Sequence, residues 1–383
     1  MKSTVKFNLC AVLLICVLAF CGCQKQDNKT VVQFASWGSK SEVDILKPIL
    51  SDFEKENPDI KVDFMHIPQN YFQKIHLLFA SNTAPDVIFI NNQYLPVYAN
   101  AGLLEELHAS NGFYQKSLEA LTVNGKLYAI PRDVSNLVIY YNKNIFDKKH
   151  IPYPSANWTF DDFLKTAQKL TDQNTFGISF EEDPLFYLPY LMSNGGGFLP
   201  DEINKPESQN ALNFYADLRN KYHVAPLKSE SASATMAQLF LQERLGMYLS
   251  GRWMVPKFRE EAKFDWDIAQ FPKGTKGSIV QLDASGWAVS KSSNHKQEAL
   301  KLVNFLSSKE SSEKFTESGL IVPAREEVAN SKYFLDGQKP ENAKVFTNII
   351  KTSKPTPVTV NYREILDNLK KKWKQGLTDY ERI

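Results

Sequence analysis

Between Val31 and Ile90 the apolar residues switch repeatedly between a strand-like and a helix-like period, and this limits the available folds more than any other feature. Val31–Ala35 is a short apolar run. The spacing of Val43, Leu46, Leu50 and Phe53 predicts a helix ending before Asn57-Pro58, with Pro48 marking its kink or its true start. Ile60–Ile67 predicts a second strand, Tyr71–Phe79 a second helix, and Asp86–Ile90 a third strand after the Ala84-Pro85 break. Strand, helix, strand, helix, strand in so short a stretch implies a parallel sheet with helices on its faces, an α/β fold. Ligand sites in such sheets lie beyond the carboxyl ends of the strands.

The same alternation continues downstream. Leu127–Ile130, Leu137–Tyr141, Met247–Leu249, Asp265–Ala269 and Gly286–Ser290 read as strands. At Trp158-Thr159-Phe160-Asp161-Asp162-Phe163 a helix opens, with Thr159 as its cap, Asp162 at the capping-box position and Trp158 stapled onto Phe163. A last helix carries Ile365, Leu366, Leu369 and Trp373. At roughly 150 residues per domain, 383 residues suggest two domains. A composition 43% hydrophobic and 23% charged excludes a polytopic membrane protein and a disordered chain. Lys+Arg 45 against Asp+Glu 43 leaves no basic excess to attract nucleic acid.

All four cysteines (Cys10, Cys16, Cys21, Cys23) lie within or beside the first apolar run, Leu9–Phe20, which follows Lys2 and Lys6. A charged start and a short apolar core read as a secretory signal, and its removal takes the formal charge from +2 to zero. The cysteine-free body excludes a disulfide-stapled domain, a Cys-ligated metal and a Cys nucleophile. The six histidines are scattered without metal-site spacing, and Gly195-Gly196-Gly197 lacks the GxGxxG order, so no metal and no cofactor is expected. Gly22-Cys23, followed by Gln24-Lys25-Gln26-Asp27, resembles a bacterial lipoprotein cleavage box. That resemblance implies a signal over residues 1–22, a lipid such as palmitate on Cys23, with Cys21 the other candidate, and a tether over 23–30. The location it implies is the outer, extracellular or periplasmic, side of the cell membrane.

Seven further segments resemble one family, the bacterial extracellular solute-binding proteins of sugar-uptake ABC transporters. They are Phe53–Val62, Ala84–Phe89, Tyr128–Asp133 with Tyr140–Lys143, Trp158–Phe163, Gly251–Met254, Gly286–Lys291 and Val322–Arg325, in family order. The resemblance implies a two-lobed, periplasmic-binding-protein-like α/β fold with crossovers near 138–142, 281–286 and 323–326. The first lobe would take 31–139 and 284–323, and the second 140–283 and 324–383. Ligand would lie in a hinged cleft between them. The function implied is capture of a sugar or small oligosaccharide and delivery to ABC permease subunits, by a monomer, without catalysis.

Sugars offer weakly apolar faces rimmed with hydroxyls, so a site needs aromatic platforms and amide, carboxylate or guanidinium groups. Trp37, directly after the first strand, reads as cleft wall or core. Asn91, Asn92, Gln93 and Tyr94 follow the third strand and read as hydroxyl-binding groups or a solvated turn. By resemblance, Asp133 accepts sugar hydroxyls unless it merely pairs with Arg132, Trp253 stacks on the ligand from the second lobe, and Arg325 reaches the cleft or makes a hinge bridge. Asp283 and Trp287 border the second crossover, and Tyr190 precedes the glycine triplet. Competing readings are a non-sugar solute on the same fold (a glycerol phosphodiester, a polyamine or ferric ion), a secreted glycosidase using Glu181-Glu182-Asp183, and a purely structural surface lipoprotein.

Overall fold

The computed structural model describes residues 29–380 other than 232, with side chains as far as 371. The signal segment, Cys23 and the Trp373 side chain lie outside the described residues. β1 (Thr30–Ser36), α1 (Lys40–Glu56), β2 (Ile60–His66), α2 (Tyr71–Ala80) and β3 (Val87–Asn91) alternate as the periodicity predicts, and β2 and β3 flank β1 in parallel. α1 opens earlier than its apolar spacing suggested. Ser39 caps it by accepting the Glu42 N–H, and the Glu42 carboxylate accepts the Ser39 N–H in return. The helix continues through Pro48, so that proline is not its start; it sits on the exposed face, where water can satisfy the carbonyl it leaves unpaired.

β4 (Ile130–Ser135) and β5 (Leu137–Asn142) are separated only by Asn136, yet they belong to different sheets. The first crossover is therefore Asn136. The resemblance implies that Leu137, Val138 and Ile139 belong to the first lobe, but their ladder partners are Gly251, Ser250 and Leu249 of the second. α3 (Phe160–Leu170), β6 (Phe176–Ile178), α4 (Pro184–Ser193), β7 (Leu245–Gly251) and β8 (Trp266–Ala269) follow. α3 starts with the expected Thr159–Asp162 capping box, and the Trp158 ring meets Phe163 edge-on at 5.7 Å. The second sheet runs β8-β5-β7-β6, with β6 parallel to β7 and β5 antiparallel to both its neighbours.

β9 (Gln281–Val289) returns to the first sheet, antiparallel between β3 and β4, and is followed by α5 (Lys296–Leu306), α6 (Lys309–Glu317), β10 (Val322–Pro323), β11 (Lys354–Pro355) and α7 (Tyr362–Tyr380). The first sheet runs β10-β4-β9-β3-β1-β2, with β11 paired to the start of β9. The third crossover falls later than 323–326. The turn Glu326–Ala329 still packs on α6 and β10. Second-lobe anchoring begins at Asp336, gripped by both terminal nitrogens of Arg259 at 2.8 and 3.0 Å, and at Asn342, which donates to Asp267. β11 then revisits the first sheet before α7 packs against α4.

Strand direction decides where the two lobes face each other. β4 runs toward Asn136 and β9 away from the crossover, with Asp283 opposite Ser135 and Ser285 opposite Asn91. The carboxyl ends of β1, β3 and β4 therefore point at the second lobe. In that lobe β5 starts opposite Gly251, the last residue of β7, so the carboxyl ends of β6 and β7 point back. A cleft between carboxyl edges is what the rule for open α/β sheets requires.

Candidate functional site

The first-lobe side of the cleft is built on aromatic packing. Trp37 leaves β1 half-buried, with its ring 5.1 Å from Tyr71, 5.4 Å from Phe72 and 4.1 Å from Phe89. The Tyr71 hydroxyl donates to the Ala35 carbonyl at 3.0 Å and pins α2 beside the end of β1. Phe72 in turn stacks on Tyr94 at 3.6 Å. Trp37, Phe72 and Tyr94 thus form a half-buried aromatic strip, and the Arg363 guanidinium of α7 lies 5.5 Å over the Tyr94 ring.

Beside this strip is a charged cluster. Arg132 donates from Nε to Asp133 Oδ2 at 2.5 Å, holds its Nη2 3.6 Å from Glu42 Oε1, and lies 4.2 Å over the Phe89 ring. Burial raises the pKa of the Asp133 carboxyl above the usual range, and the attraction of Arg132 opposes that rise. The carboxylate of Asp133 keeps acceptor capacity beyond its bond to Arg132, which suits it to a hydroxyl donor.

The second lobe contributes Trp253. It lines, with Glu42, Arg132, Asp133, Ser135 and Ser285, a cavity of about 200 Å³. Its ring lies over the end of β7, where a Cβ on Gly251 would come within 2.0 Å of it, so any side chain at that position would have to displace the indole. The preceding Arg252, 3% exposed, donates from Nε to the Gly319 carbonyl at 2.8 Å and lies 4.5 Å over Phe334. It ties the turn carrying Trp253 to the first lobe. The Glu181 backbone follows the carboxyl end of β6 and is held by the Tyr215 hydroxyl, which accepts its N–H at 3.0 Å and donates to its carbonyl at 2.8 Å.

Burial, then the Asp183 charge, push the Glu181 carboxyl up to about 7, against the pull of Arg219, with Glu182 adding to the rise. A carboxyl raised this way binds a proton in the folded state that the unfolded chain has released. Stability is then complete below about pH 4.5 and falls as pH rises through 7. Glu181→Gln is expected to match the native protein near pH 4.5 and to exceed it by about 1–2 kcal/mol at pH 7.5, after discounting for partial exposure. Urea denaturation at the two pH values checks this; an equal difference at both would remove Glu181 as the titrating group.

Several residues singled out from the sequence face away from the cleft or are engaged by the protein. Trp287 is fully buried against Phe34 and Phe89, at 5.5 and 4.5 Å, and is core packing rather than a platform. Tyr190, 1% exposed, sits inside the second-lobe core between Tyr215 and Phe271. Arg325 donates to the carbonyls of Ser307 and Asn111 and to the Ser110 hydroxyl, all in the first lobe, so it neither reaches the cleft nor bridges the hinge. Asn92, 2% exposed, exchanges backbone and side-chain bonds with Ala284 and donates to Asp283 at 2.9 Å. Gln93 donates to the other Asp283 oxygen at 3.3 Å, and the Asn91 side chain accepts the Tyr94 N–H. These amides and Asp283 brace β3 against β9 where the chain changes lobes.

Glu42 and Arg252, which line the cavity with Trp253, stand outside the ligand set expected from the sequence. A signal existed for Glu42, because Ser39-Lys40-Ser41-Glu42 is a capping box immediately after a strand end.

A model of the bacterial extracellular solute-binding protein family matches residues 38–313. The galactooligosaccharide-binding protein of Bacillus subtilis (strain 168) is 26% identical over 388 residues, covering 95% of this chain and 90% of the relative. The maltodextrin-binding protein MdxE of the same organism is 25% identical, covering 91% and 86%. Among solved structures, the ABC substrate-binding protein Lmo0181 from Listeria monocytogenes in complex with cycloalternan superposes with a TM-score of 0.80 at 26% identity, over 92% of this chain and 98% of that one. No helix among the described residues is long and apolar enough to cross a membrane. With two α/β lobes facing each other across carboxyl strand ends and a family match running from the end of the first strand through α5 into α6, the chain belongs to the bacterial extracellular solute-binding proteins.

Proposed function

We propose that this chain captures a sugar or small oligosaccharide between its lobes, without chemical turnover, and delivers it to the permease of an ABC importer. The observation that carries this reading is a single cavity lined by a second-lobe indole, Trp253, and by the first-lobe Glu42–Arg132–Asp133 cluster. Such a pairing offers a stacking face opposite hydroxyl-binding groups, and a ligand touching both lobes favours the closed arrangement by its differential affinity for it. Named relatives that bind galactooligosaccharide and maltodextrin support the same ligand class. In this reading Cys23 carries a lipid that holds the monomer at the outer face of the membrane. Loss of labelled palmitate in Cys23→Ser, but not in Cys21→Ser, is the expected result.

Thermal unfolding in the presence of galacto- and malto-oligosaccharides, spermidine, a glycerol phosphodiester and ferric citrate tests the ligand class. A ligand at a hundred times its dissociation constant stabilises the folded state by about 2.7 kcal/mol, a readily measured rise in melting temperature. The rise is expected with an oligosaccharide. A rise confined to spermidine, the phosphodiester or iron would overturn the sugar reading.

A further inference from the structure

Two of the places where the chain changes lobes are a single residue long. At the first, Ser135 pairs with Asp283 in the first sheet and Leu137 with Gly251 in the second, with Asn136 between them. At the second, Asp283 is the first residue of β9 to pair with β4, and Asn92 and Gln93 hold its carboxylate at 2.9 and 3.3 Å. Gln281, two residues earlier, is gripped from the other lobe: its Nε2 donates to the Leu185 carbonyl of α4 at 2.7 Å. Leu282 alone separates the two grips, with β11 running parallel beside it.

The helix itself makes this acceptor available. An α-helical carbonyl takes the N–H of the residue four positions on, and for Leu185 that residue is Pro189, inside α4, which has none. The Gln281 amide supplies from a distant strand the donor that the helix lacks. Gln281 is 1% exposed, and its Oε1 has no partner among the described residues. A buried amide with one end unpaired is a costly way to fill space, since an apolar side chain of similar size would strand no polar atom. What it secures is the bond to α4. Asn136 is built alike: it is 2% exposed and donates from Nδ2 to the Phe346 carbonyl at 2.9 Å, while its Oδ1 is unpaired among the described residues.

We infer that Gln281 is a hinge pin. Together with Pro189 it clamps the second crossover to α4 and confines bending there to the one residue before Asp283. Without the pin the chain is free back to Ile279, where the Ser193 hydroxyl next holds it, donating to the Ile279 carbonyl at 2.9 Å and accepting its N–H at 3.0 Å. A hinge is the few residues that absorb the change in backbone angles, so a longer free segment lets the lobes reach more separated arrangements. The inference concerns the joint between the lobes and is independent of the ligand.

Small-angle scattering and urea denaturation of the whole protein, without ligand, test it. Gln281→Met is expected to increase the radius of gyration and to lower the urea midpoint, because it leaves the Leu185 carbonyl without a donor. Adding Pro189→Ala returns an N–H to that carbonyl from within the helix. The double variant is therefore expected to regain the midpoint while the larger radius persists. In Pro189→Ala alone the helix competes with Gln281 for the same carbonyl, so the radius is expected to rise with no loss of midpoint; this variant carries the test where Gln281→Met does not fold. A native radius in either single variant, or a double variant in which radius and midpoint return to native together, would reduce Gln281 to a cap on a broken helix and overturn the pin.

Discussion

Replacing Trp253 by alanine is expected to weaken oligosaccharide binding by about 2–4 kcal/mol, roughly thirty- to several hundred-fold, on the scale of interface hot spots. The indole is half-buried and shares its cavity with Asp133 and Arg132, so its loss removes the second-lobe stacking face and leaves the polar groups exposed to water. Aromatic contacts of this kind contribute roughly 0.5–1.5 kcal/mol beyond the area they bury. Gly251→Ala makes the same claim from the opposite direction. Its Cβ would lie 2.0 Å from the Trp253 ring, so the indole would be displaced rather than removed, and a comparable loss is expected. Calorimetry, with circular dichroism to confirm folding, measures both. Full affinity in Trp253→Ala would make this residue packing for the crossover, and the stacked-sugar account would lose its second-lobe platform.

A large effect on stability is expected at Gly286. It lies on β9, which pairs with β3 on one edge and β4 on the other, at the point where the register against β4 shifts between Ser285 and Gly286. A Cβ there would sit 2.2 Å from the Ile130 carbonyl oxygen and 3.0 Å from Pro131 Cα. Both are backbone atoms of a paired strand, so no flexible side chain can swing aside. Gly286→Ala should therefore reach or pass the top of the roughly 1–3 kcal/mol range seen for overpacking. Urea denaturation should show a lower midpoint with an unchanged slope. An unchanged midpoint would mean that β4 and β9 separate at this point without cost.

The two predictions concern residues of very different legibility. Trp253 was singled out because Gly251-Arg252-Trp253-Met254 resembles a family segment, and Trp37 because a tryptophan directly after a strand stands at a carboxyl end. Gly286 reads from the sequence as the start of a strand and of the family segment Gly286–Lys291, whereas the strand begins at Gln281 and the glycine lies at an irregularity inside it. Trp287 and Tyr190 show the limit of residue type as a guide. A tryptophan at a crossover and a tyrosine before a glycine triplet suit a ligand as well as a core, and only packing against Phe89 or Phe271 separates the two.

What the chain determines locally is its alternation of period, the caps on its helices and hence the α/β class, because strand and helix periods arise from backbone geometry within a few residues. The Thr159–Asp162 box and the first three strands needed no distant partner to be recognised. Which sheet each strand joins is a different matter. Ser135 and Leu137, two residues apart, pair with Asp283 and Gly251 in separate lobes, and nothing within that stretch encodes the choice. The same holds for the cleft: Glu42, Arg132 and Trp253 come from distant parts of the chain, and only the tertiary structure places them around one cavity. The physical reason is that a strand's register and a side chain's burial are set by what packs against them, and those partners lie far away in sequence.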